Sequence, residues 1–365
     1  MKRREFFKAG ALATAASGAV ASPAIAQSMP SIKWRLVSAF PKSLDTLYGG
    51  ADHLSKIVAE ATDNQFQIQP FAAGEIVPGG GAVIDATTNG TVECCHTCSY
   101  YAIGKDPTFA FGTCIPFGLN SRQAIAWHEF GGGNEMLNEF YKSYNLYSLP
   151  AGNTGVQMGG WFRKELNTPA DLNGIKFRVG GLAGTILQKL GVVPQVIGGG
   201  DLYSALERGT IDAAEWTGPY DDEKIGIYKV AKNYYYPGWW DQGTVISLMI
   251  NRGKWDELPK HYQGILRRAA ADTNAWMQAK YDYENPAALK RLVAAGAVLR
   301  PFSAEIMEAC QKATDETYRE ITEKNPTFKK ILDSMMSYRD DAYLYWQVSE
   351  LPYDLAIVRA RRSRR

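Results

Sequence analysis

The sequence predicts an α/β protein of two lobes that ends in long helices. Three observations carry that prediction. β-Branched runs alternate with stretches of helical spacing from residue 33 onward, two apolar segments at 150–160 and 244–250 suit a chain crossing between lobes, and everything after Trp255 has helical periodicity. At 365 residues and 45% hydrophobic, the chain can build about two cores. Its formal charge of +2 is uneven. The first 26 residues carry Lys2, Arg3, Arg4 and Lys8 against Glu5 (+3) and the last seven carry five Arg (+5), so the body between them carries −6. A weakly acidic body argues against nucleic-acid binding, whose footprint would be a basic surface on the folded domain. It leaves room for an anionic ligand held by one local Arg.

Residues 1–26 read as a twin-arginine export signal. Arg3-Arg4 sits in a charged start, a mild apolar stretch runs from Ala9 to Val20, and Ser22-Pro23-Ala24-Ile25-Ala26 offers an A-x-A cleavage site. The apolar stretch is broken by Gly10, Thr14, Ser17 and Gly18, too weak for a membrane anchor. Cleavage after Ala26 places a mature protein in a bacterial periplasm.

In the first lobe, Lys33–Ser38 reads as a strand, Leu47, Leu54, Ile57, Val58 and Ala61 recur at helical spacing, and Phe66–Phe71 reads as a second strand. This β-α-β order implies a mostly parallel sheet covered by helices. Pro78-Gly79-Gly80-Gly81 precedes a helix through Ile84 and Ala86 and lacks the P-loop pattern, which argues against nucleotide binding. Cys94-Cys95-His96-Thr97-Cys98 resembles a metal motif but sits in a strand, where Cys95 and Cys98 face opposite ways and Cys94 and Cys98 lie roughly 13 Å apart. Buried thiols acting as small hydrophobes are the expectation for the five cysteines, ahead of a disulfide and of zinc.

The Gly-dense run 150–160 is the expected crossing. Beyond it, Ile175–Val179 is a strand, Ala183–Leu190 a helix, Val192–Ile197 a strand, Leu202–Glu207 a helix and Ile211–Trp216 a strand. Thr244–Ile250, apolar and β-branched, is the return crossing. From Trp255 the chain is helical, with Pro286 expected to break a long segment. The lobes are expected at 27–152 with about 242–280, and at 153–241 with about 281–330. A dimerisation helix over 331–358 and a disordered basic tail over 359–365 complete the division. The Tyr-, Trp- and Met-rich run from Asp333 to Tyr353 has too many apolar side chains for a solvated helix, which points to a homodimer.

Thr168-Pro169-Ala170-Asp171-Leu172-Asn173-Gly174-Ile175-Lys176-Phe177-Arg178 resembles the T-P-x-D-L-x-G-x-K-x-R signature of the receptor subunits of TRAP transporters, the DctP-like periplasmic solute-binding proteins. Residues 203–215, with Tyr203, Ala205, Leu206, Gly209, Ile211, Asp212 and Glu215, resemble that family's second signature. Gln157, Arg178, Glu215-Trp216 and the vicinal cysteines are similar to its α-keto acid receptors. The resemblance implies a two-lobed periplasmic binding protein with a ligand cleft between the lobes. It also implies a small 2-oxo carboxylate such as pyruvate as ligand and delivery to membrane permease subunits.

It implies site residues as well. Arg178 would clamp the ligand carboxylate, which a guanidinium can grip with two parallel hydrogen bonds; a surface ion pair is the plain alternative. The Glu215 carboxylate, the Trp216 carbonyl and the Gln157 amide oxygen would offer hard oxygen donors suited to Na⁺ or Ca²⁺. With Arg178, Glu215 and one ligand carboxylate, charge balance favours Na⁺. Ca²⁺ would need a further acid, for which Asp241 is the candidate, and a turn-capping role is the alternative for that residue. Tyr100-Tyr101 and Trp239-Trp240 fall where the lobes would face across a cleft; core or hinge packing is expected for most of them, and only Tyr101 is expected to contact the ligand. A receptor for a hydroxy acid or sugar acid is the alternative function. A periplasmic enzyme is remote, because the four histidines are scattered and neither H-E-x-x-H nor G-x-S-x-G occurs.

Overall fold

The computed structural model describes residues 29–362, so the expected export signal lies outside the described residues. From Ile32 onward the chain forms one compact unit built on two sheets.

The first sheet begins with β1 (Ile32–Ser38), whose Trp34, Leu36 and Val37 are buried. Helix α1 (Leu47–Ala61) buries Leu47, Ala51, Leu54 and Val58, one stripe at helical spacing, and returns the chain to β2 (Phe66–Phe71) parallel to β1. Helix α2 (Ala82–Thr88) then leads into β3 (Cys94–Thr97), parallel to β1 and buried along its length. Helices α3 (Ser121–Phe130) and α4 (Gly133–Lys142) precede β4 (Leu146–Asn153). Helix α3 starts at a capping box in which Asn120 accepts from the Gln123 amide, a local signal that hydrophobic spacing does not carry.

The second sheet takes β5 (Trp161–Phe162), β6 (Lys176–Arg178), β7 (Val193–Gln195) and β8 (Ala213–Ala214). Between them lie α5 (Gly181–Gln188) and α6 (Leu202–Glu207), and α7 (Pro219–Ile225) leads toward β9 (Asn233–Tyr236). Then β10 (Val245–Asn251) returns to the first sheet and inserts antiparallel between β3 and β4, completing the order β2-β1-β3-β10-β4. Seven buried residues in succession mark β10 as a central strand.

After α8 (Arg252–Glu257), the 35-residue α9 (Lys260–Ala294) packs on β4 and α1 at one end and on α7 at the other. The expected break at Pro286 does not occur, and the helix runs through it. An interior proline costs about 3 kcal/mol. Here Tyr281 before it and Ala288 and Leu292 after it are fully buried and hold both halves on one axis. α9 delivers β11 (Val298–Pro301) parallel to β9, an edge strand inside a stretch expected to be all helix. The order of the second sheet is β11-β9-β5-β8-β6-β7.

Helix α10 (Ala304–Thr322) is capped by Ser303 and α11 (Pro326–Ser349) by Asn325. The first half of α11 buries Phe328, Ile331, Leu332 and Met335, whereas Tyr343, Leu344, Tyr345 and Val348 are exposed. Helix α12 (Leu351–Arg362) buries nothing. It corrects the expected disordered tail, because residues 359–362 continue the helix, with 363–365 outside the described residues. Arg359, Arg361 and Arg362 fall in its last turn, where the helix dipole favours positive charge.

Candidate functional site

Strand register brings the charged centre together. β6 and β8 run parallel with Arg178 opposite Ala214, so the residue after β8, Glu215, arrives beside Arg178, and the Glu215 amide donates to the Arg178 carbonyl at 3.1 Å. Arg178 Nη1 donates to the Glu215 carbonyl at 2.7 Å and to Glu215 Oε1 at 2.5 Å, and Nε donates to the Ile197 carbonyl at 3.1 Å. The guanidinium lies 4.8 Å from the Trp216 ring centroid. The Gly180 amide also donates to Glu215 Oε1, at 2.9 Å. Glycine is required at 180, since a Cβ there would meet the Tyr100 hydroxyl at 2.9 Å.

Arg178 is therefore not held free for an anion, and it does not form a surface ion pair either. It makes a buried ion pair with Glu215. Two opposite charges removed from water at adjoining strand ends neutralise each other first. Nη2 makes no hydrogen bond among the described residues.

The two crossings supply the other half. Residues 154–160 and 237–244 hydrogen-bond to each other: the Thr154 amide donates to the Thr244 carbonyl at 3.0 Å, the Gln157 amide to the Asp241 carbonyl at 3.1 Å and the Gly238 amide to the Gln157 carbonyl at 3.3 Å. This pairing places Gln157 beside Asp241 although 84 residues separate them. Gln157 Nε2 donates to Thr154 Oγ1 at 3.1 Å and Thr244 Oγ1 at 2.8 Å. Asp241 Oδ1 accepts a short hydrogen bond from Cys114 Sγ.

Gln157 Oε1 and Glu215 Oε2 are buried and without a hydrogen-bond partner. Leaving such atoms unmade costs about 1–3 kcal/mol each, so two of them beside a charged cluster mark a place built for a further partner. Burial pushes the Glu215 and Asp241 carboxyls upward; Arg178 pulls both down, Asp241 raises Glu215 further, and the Cys114 hydrogen bond lowers Asp241. Fully ionised, Arg178, Glu215 and Asp241 sum to one negative charge. An orphaned amide oxygen, an orphaned carboxylate oxygen and a net negative charge fit a hard cation. Among the described residues no three His, Cys, Asp or Glu side chains gather to hold a metal, so any ion here must draw on amide, backbone or ligand oxygens.

A cavity of about 20 Å³ is lined by Tyr101, Gln157, Arg178 and Trp216 together with Tyr100, Thr154, Thr217 and Thr244. It shares Tyr100, Tyr101, Arg178 and Trp216 with a cleft of about 670 Å³ whose lining includes the glycines Gly79–Gly81, Gly180, Gly181 and Gly198–Gly200. Burial raises the Tyr101 hydroxyl far above its ordinary value, keeping it a donor. Glu215 lies behind Arg178 and Asp241 behind Gln157, and neither lines the cavity itself.

Trp239 and Trp240 are core residues, stacked on Phe117 at 5.0 Å and edge-on to Phe177 at 5.7 Å. The histidines stay apart: His96 bonds the Ala151 carbonyl, His53 pairs with Asp272 and His128 with Asn134. All five cysteines are free; four are buried and Cys114 is half-buried. Sequence reasoning missed Thr154, Thr244 and Cys114, which carry no motif and matter only because of what the crossings place beside them.

The family model for DctP, bacterial extracellular solute-binding protein family 7, matches residues 37–325. A monocarboxylate 2-oxoacid-binding periplasmic protein of Nostoc sp. is 46% identical over 359 residues, covering 97% of this chain and 98% of its own. A TRAP transporter solute-binding protein of Bordetella bronchiseptica, a dimer with calcium and picolinate in its active site, superposes with a TM-score of 0.90 at 47% identity, covering 92% of this chain and all of that one. A TRAP periplasmic solute-binding protein of Pseudoalteromonas atlantica with bound sodium and pyruvate has a TM-score of 0.86 at 36% identity, covering 88% and 98%.

Proposed function

The chain belongs to the DctP family of bacterial extracellular solute-binding proteins, and from that premise we propose that it is the periplasmic receptor of a TRAP transporter, binding 2-oxo monocarboxylates such as pyruvate together with a cation. The family is one of substrate-binding receptors. The observation that carries the proposal is the pair of buried, unpartnered oxygens, Gln157 Oε1 and Glu215 Oε2, beside the buried guanidinium of Arg178. A cation accepted by those oxygens and the Trp216 carbonyl adds positive charge to a cluster that already balances Arg178 against Glu215. An anionic ligand then restores neutrality. Arg178 Nη2 would donate to its carboxylate and the Tyr101 hydroxyl would donate as well, with the ligand's 2-oxo oxygen able to share the cation. Sodium with pyruvate in the Pseudoalteromonas protein and calcium with picolinate in the Bordetella protein support a site open to either ion. An ionised Asp241 supplies the further acid that Ca²⁺ would need.

In this reading the lobes are 27–152 with about 242–280 and 153–241 with about 281–330, a division supported by the return of β10 to the first sheet. Closure of the lobes presents the loaded receptor to membrane permease subunits. Export by the twin-arginine pathway and a homodimer formed through the exposed apolar side of residues 343–358 belong to the same proposal. The Bordetella dimer supports the homodimer.

Titration of the mature protein with pyruvate, followed by Trp fluorescence in Na⁺ buffer and in Na⁺-free chelated buffer, tests the proposal. Saturable quenching that requires the cation is expected, with 2-oxo acids outcompeting their 2-hydroxy counterparts. Preference for the hydroxy acid would reassign the ligand class, and quenching indifferent to cations would remove the ion from the site.

A further inference from the structure

We propose that Thr244 and Cys114 are positioning residues that keep the Gln157 amide oxygen turned toward the cation, by relaying the acceptor character of the Asp241 carboxylate through a chain of three hydrogen bonds. The inference rests on the cation site proposed above and concerns how that site is kept ready.

The chain has one polarity, and chemistry sets it from the Asp241 end. A carboxylate only accepts, so Cys114, in a short contact with Asp241 Oδ1, must spend its single S–H there. The sulfur then has only lone pairs to offer, so the Thr244 hydroxyl, 3.9 Å away, donates to it. With its proton committed, Thr244 Oγ1 can only accept from Gln157, which it does from Nε2 at 2.8 Å. A second acceptor backs it up. Thr154 donates its own proton to the Gly155 carbonyl at 3.0 Å and accepts from Gln157 Nε2 at 3.1 Å.

Both protons of the amide are thereby claimed on one side, and Oε1 is left buried and unpartnered on the other. An amide can turn over by 180° at little steric cost, and with –NH₂ in place of the oxygen the site would repel a cation. The relay removes that alternative. It also gives Asp241 a role without any direct contact with the ion, and it accounts for a half-buried thiol that takes part in no disulfide. Supporting partners of metal ligands typically govern affinity by about 10–100-fold.

The test uses full-length mature protein and four variants, Thr244→Val, Thr244→Ser, Cys114→Ala and Cys114→Ser. The half-saturating Na⁺ or Ca²⁺ concentration is read by Trp fluorescence at fixed pyruvate, with pyruvate affinity at saturating cation and thermal midpoint measured in parallel. Thr244→Val and Cys114→Ala should raise the half-saturating cation concentration about tenfold or more. In Cys114→Ala, whose side chain lies outside the cavity lining, pyruvate affinity at saturating cation should stay within about twofold. In Cys114→Ala, the freed Thr244 proton can donate to Gln157 Oε1 once the amide turns over, so the two substitutions should act alike. Both serine variants keep a hydroxyl of the right polarity and should stay near wild type. Unchanged cation dependence in Thr244→Val and Cys114→Ala would overturn the relay while leaving the cation site standing. Serine variants as impaired as valine and alanine would overturn it in favour of packing. A wild-type protein without cation dependence would overturn the site and the relay together.

Discussion

Arg178 and Glu215 show how much of the site rests on a single contact. The pair is buried on both sides, held by the Gly180 amide and by the carbonyls of Ile197 and Glu215. Breaking a buried pair by removing one charge costs about 3 kcal/mol or more, because the other charge stays behind uncompensated. Glu215→Gln should therefore weaken pyruvate and cation binding together, each by about a hundredfold, in parallel fluorescence titrations. Loss of one affinity with the other intact would separate the ion from the ligand and sink the shared-site model.

Helix α7 is tied down by two buried carboxylates, and they give the element a pH dependence. Asp222 accepts from Trp161 Nε1 at 2.8 Å and from the Tyr234 hydroxyl at 2.7 Å, anchoring the helix to the second sheet. Asp221 accepts from Tyr281 at 2.6 Å, anchoring it to α9. Burial pushes Asp222 up to about 7 and Asp221 up to about 6. Both lie above the unfolded value, so the folded chain holds these protons more tightly. Their stabilising contribution is complete below the ordinary carboxylate range and is lost as pH rises through about 6 to 7. His96 and His128, lowered by burial to about 4, act in the opposite sense, losing stability as pH falls below about 6.5. Between pH 6.5 and 8 the histidine contribution is flat while Asp222, and Glu215 which burial also raises, still lose theirs, so the thermal midpoint should fall across that range. Asp222→Asn, which keeps an acceptor for Trp161 and Tyr234, should flatten the slope, and an equally steep variant would assign the dependence elsewhere.

The last two helices make a separate prediction at the same scale. Phe328, Ile331, Leu332 and Met335 are core residues, so a cut before them would unfold the protein. Truncation after Ala342 removes the exposed apolar run from Tyr343 onward together with Trp346 stacked on Arg122 and the surface pair Arg122–Glu350. Light scattering should report a dimer for the intact chain and a monomer for the truncated one, with pyruvate binding retained. A truncated protein that stays dimeric would move the interface off these helices.

At the level of the whole molecule, a charged contact ties the loop after β1 to α7 and α9. The Asp45 carboxylate, in the loop after β1, pairs with Lys224 of α7 and Lys280 of α9 and accepts from the Tyr220 hydroxyl at 3.1 Å. The two lysines hold it at about 2, against the burial that raises it. α7 follows Glu215-Trp216 directly in the chain, so ligand and rim contacts pull on the same segment. Ligand and cation bound only by the folded, closed form should stabilise it by about 2.7 kcal/mol at a hundredfold excess over Kd, a rise of several degrees in Tm. The rise should require both together. A shift of equal size from pyruvate in chelated, Na⁺-free buffer would contradict a shared site.

Local pattern and local chemistry sufficed for β1, α1 and β2, for the two signatures that end at Arg178 and Glu215, and for the glycines where the chain crosses, because period, turn chemistry and residue type are properties of neighbours in sequence. The choice of Gln157, Glu215 and Arg178 as site residues came from resemblance; Gln157 and Arg178 line one cavity, and Glu215 is paired to Arg178 behind it. What required tertiary structure was every fact about partners distant in the chain. The register of β6 against β8 decided that Arg178 meets Glu215 first. The pairing of 154–160 with 237–244 decided that Thr244, Cys114 and Asp241 stand behind Gln157. Burial at Tyr281 and Leu292 carried α9 through Pro286, and packing put Trp239 and Trp240 in the core rather than the cleft. A linear pattern records which face of an element is apolar. Which side chains lose their water together, and so which charges and hydrogen bonds must satisfy one another, is settled only when the elements pack.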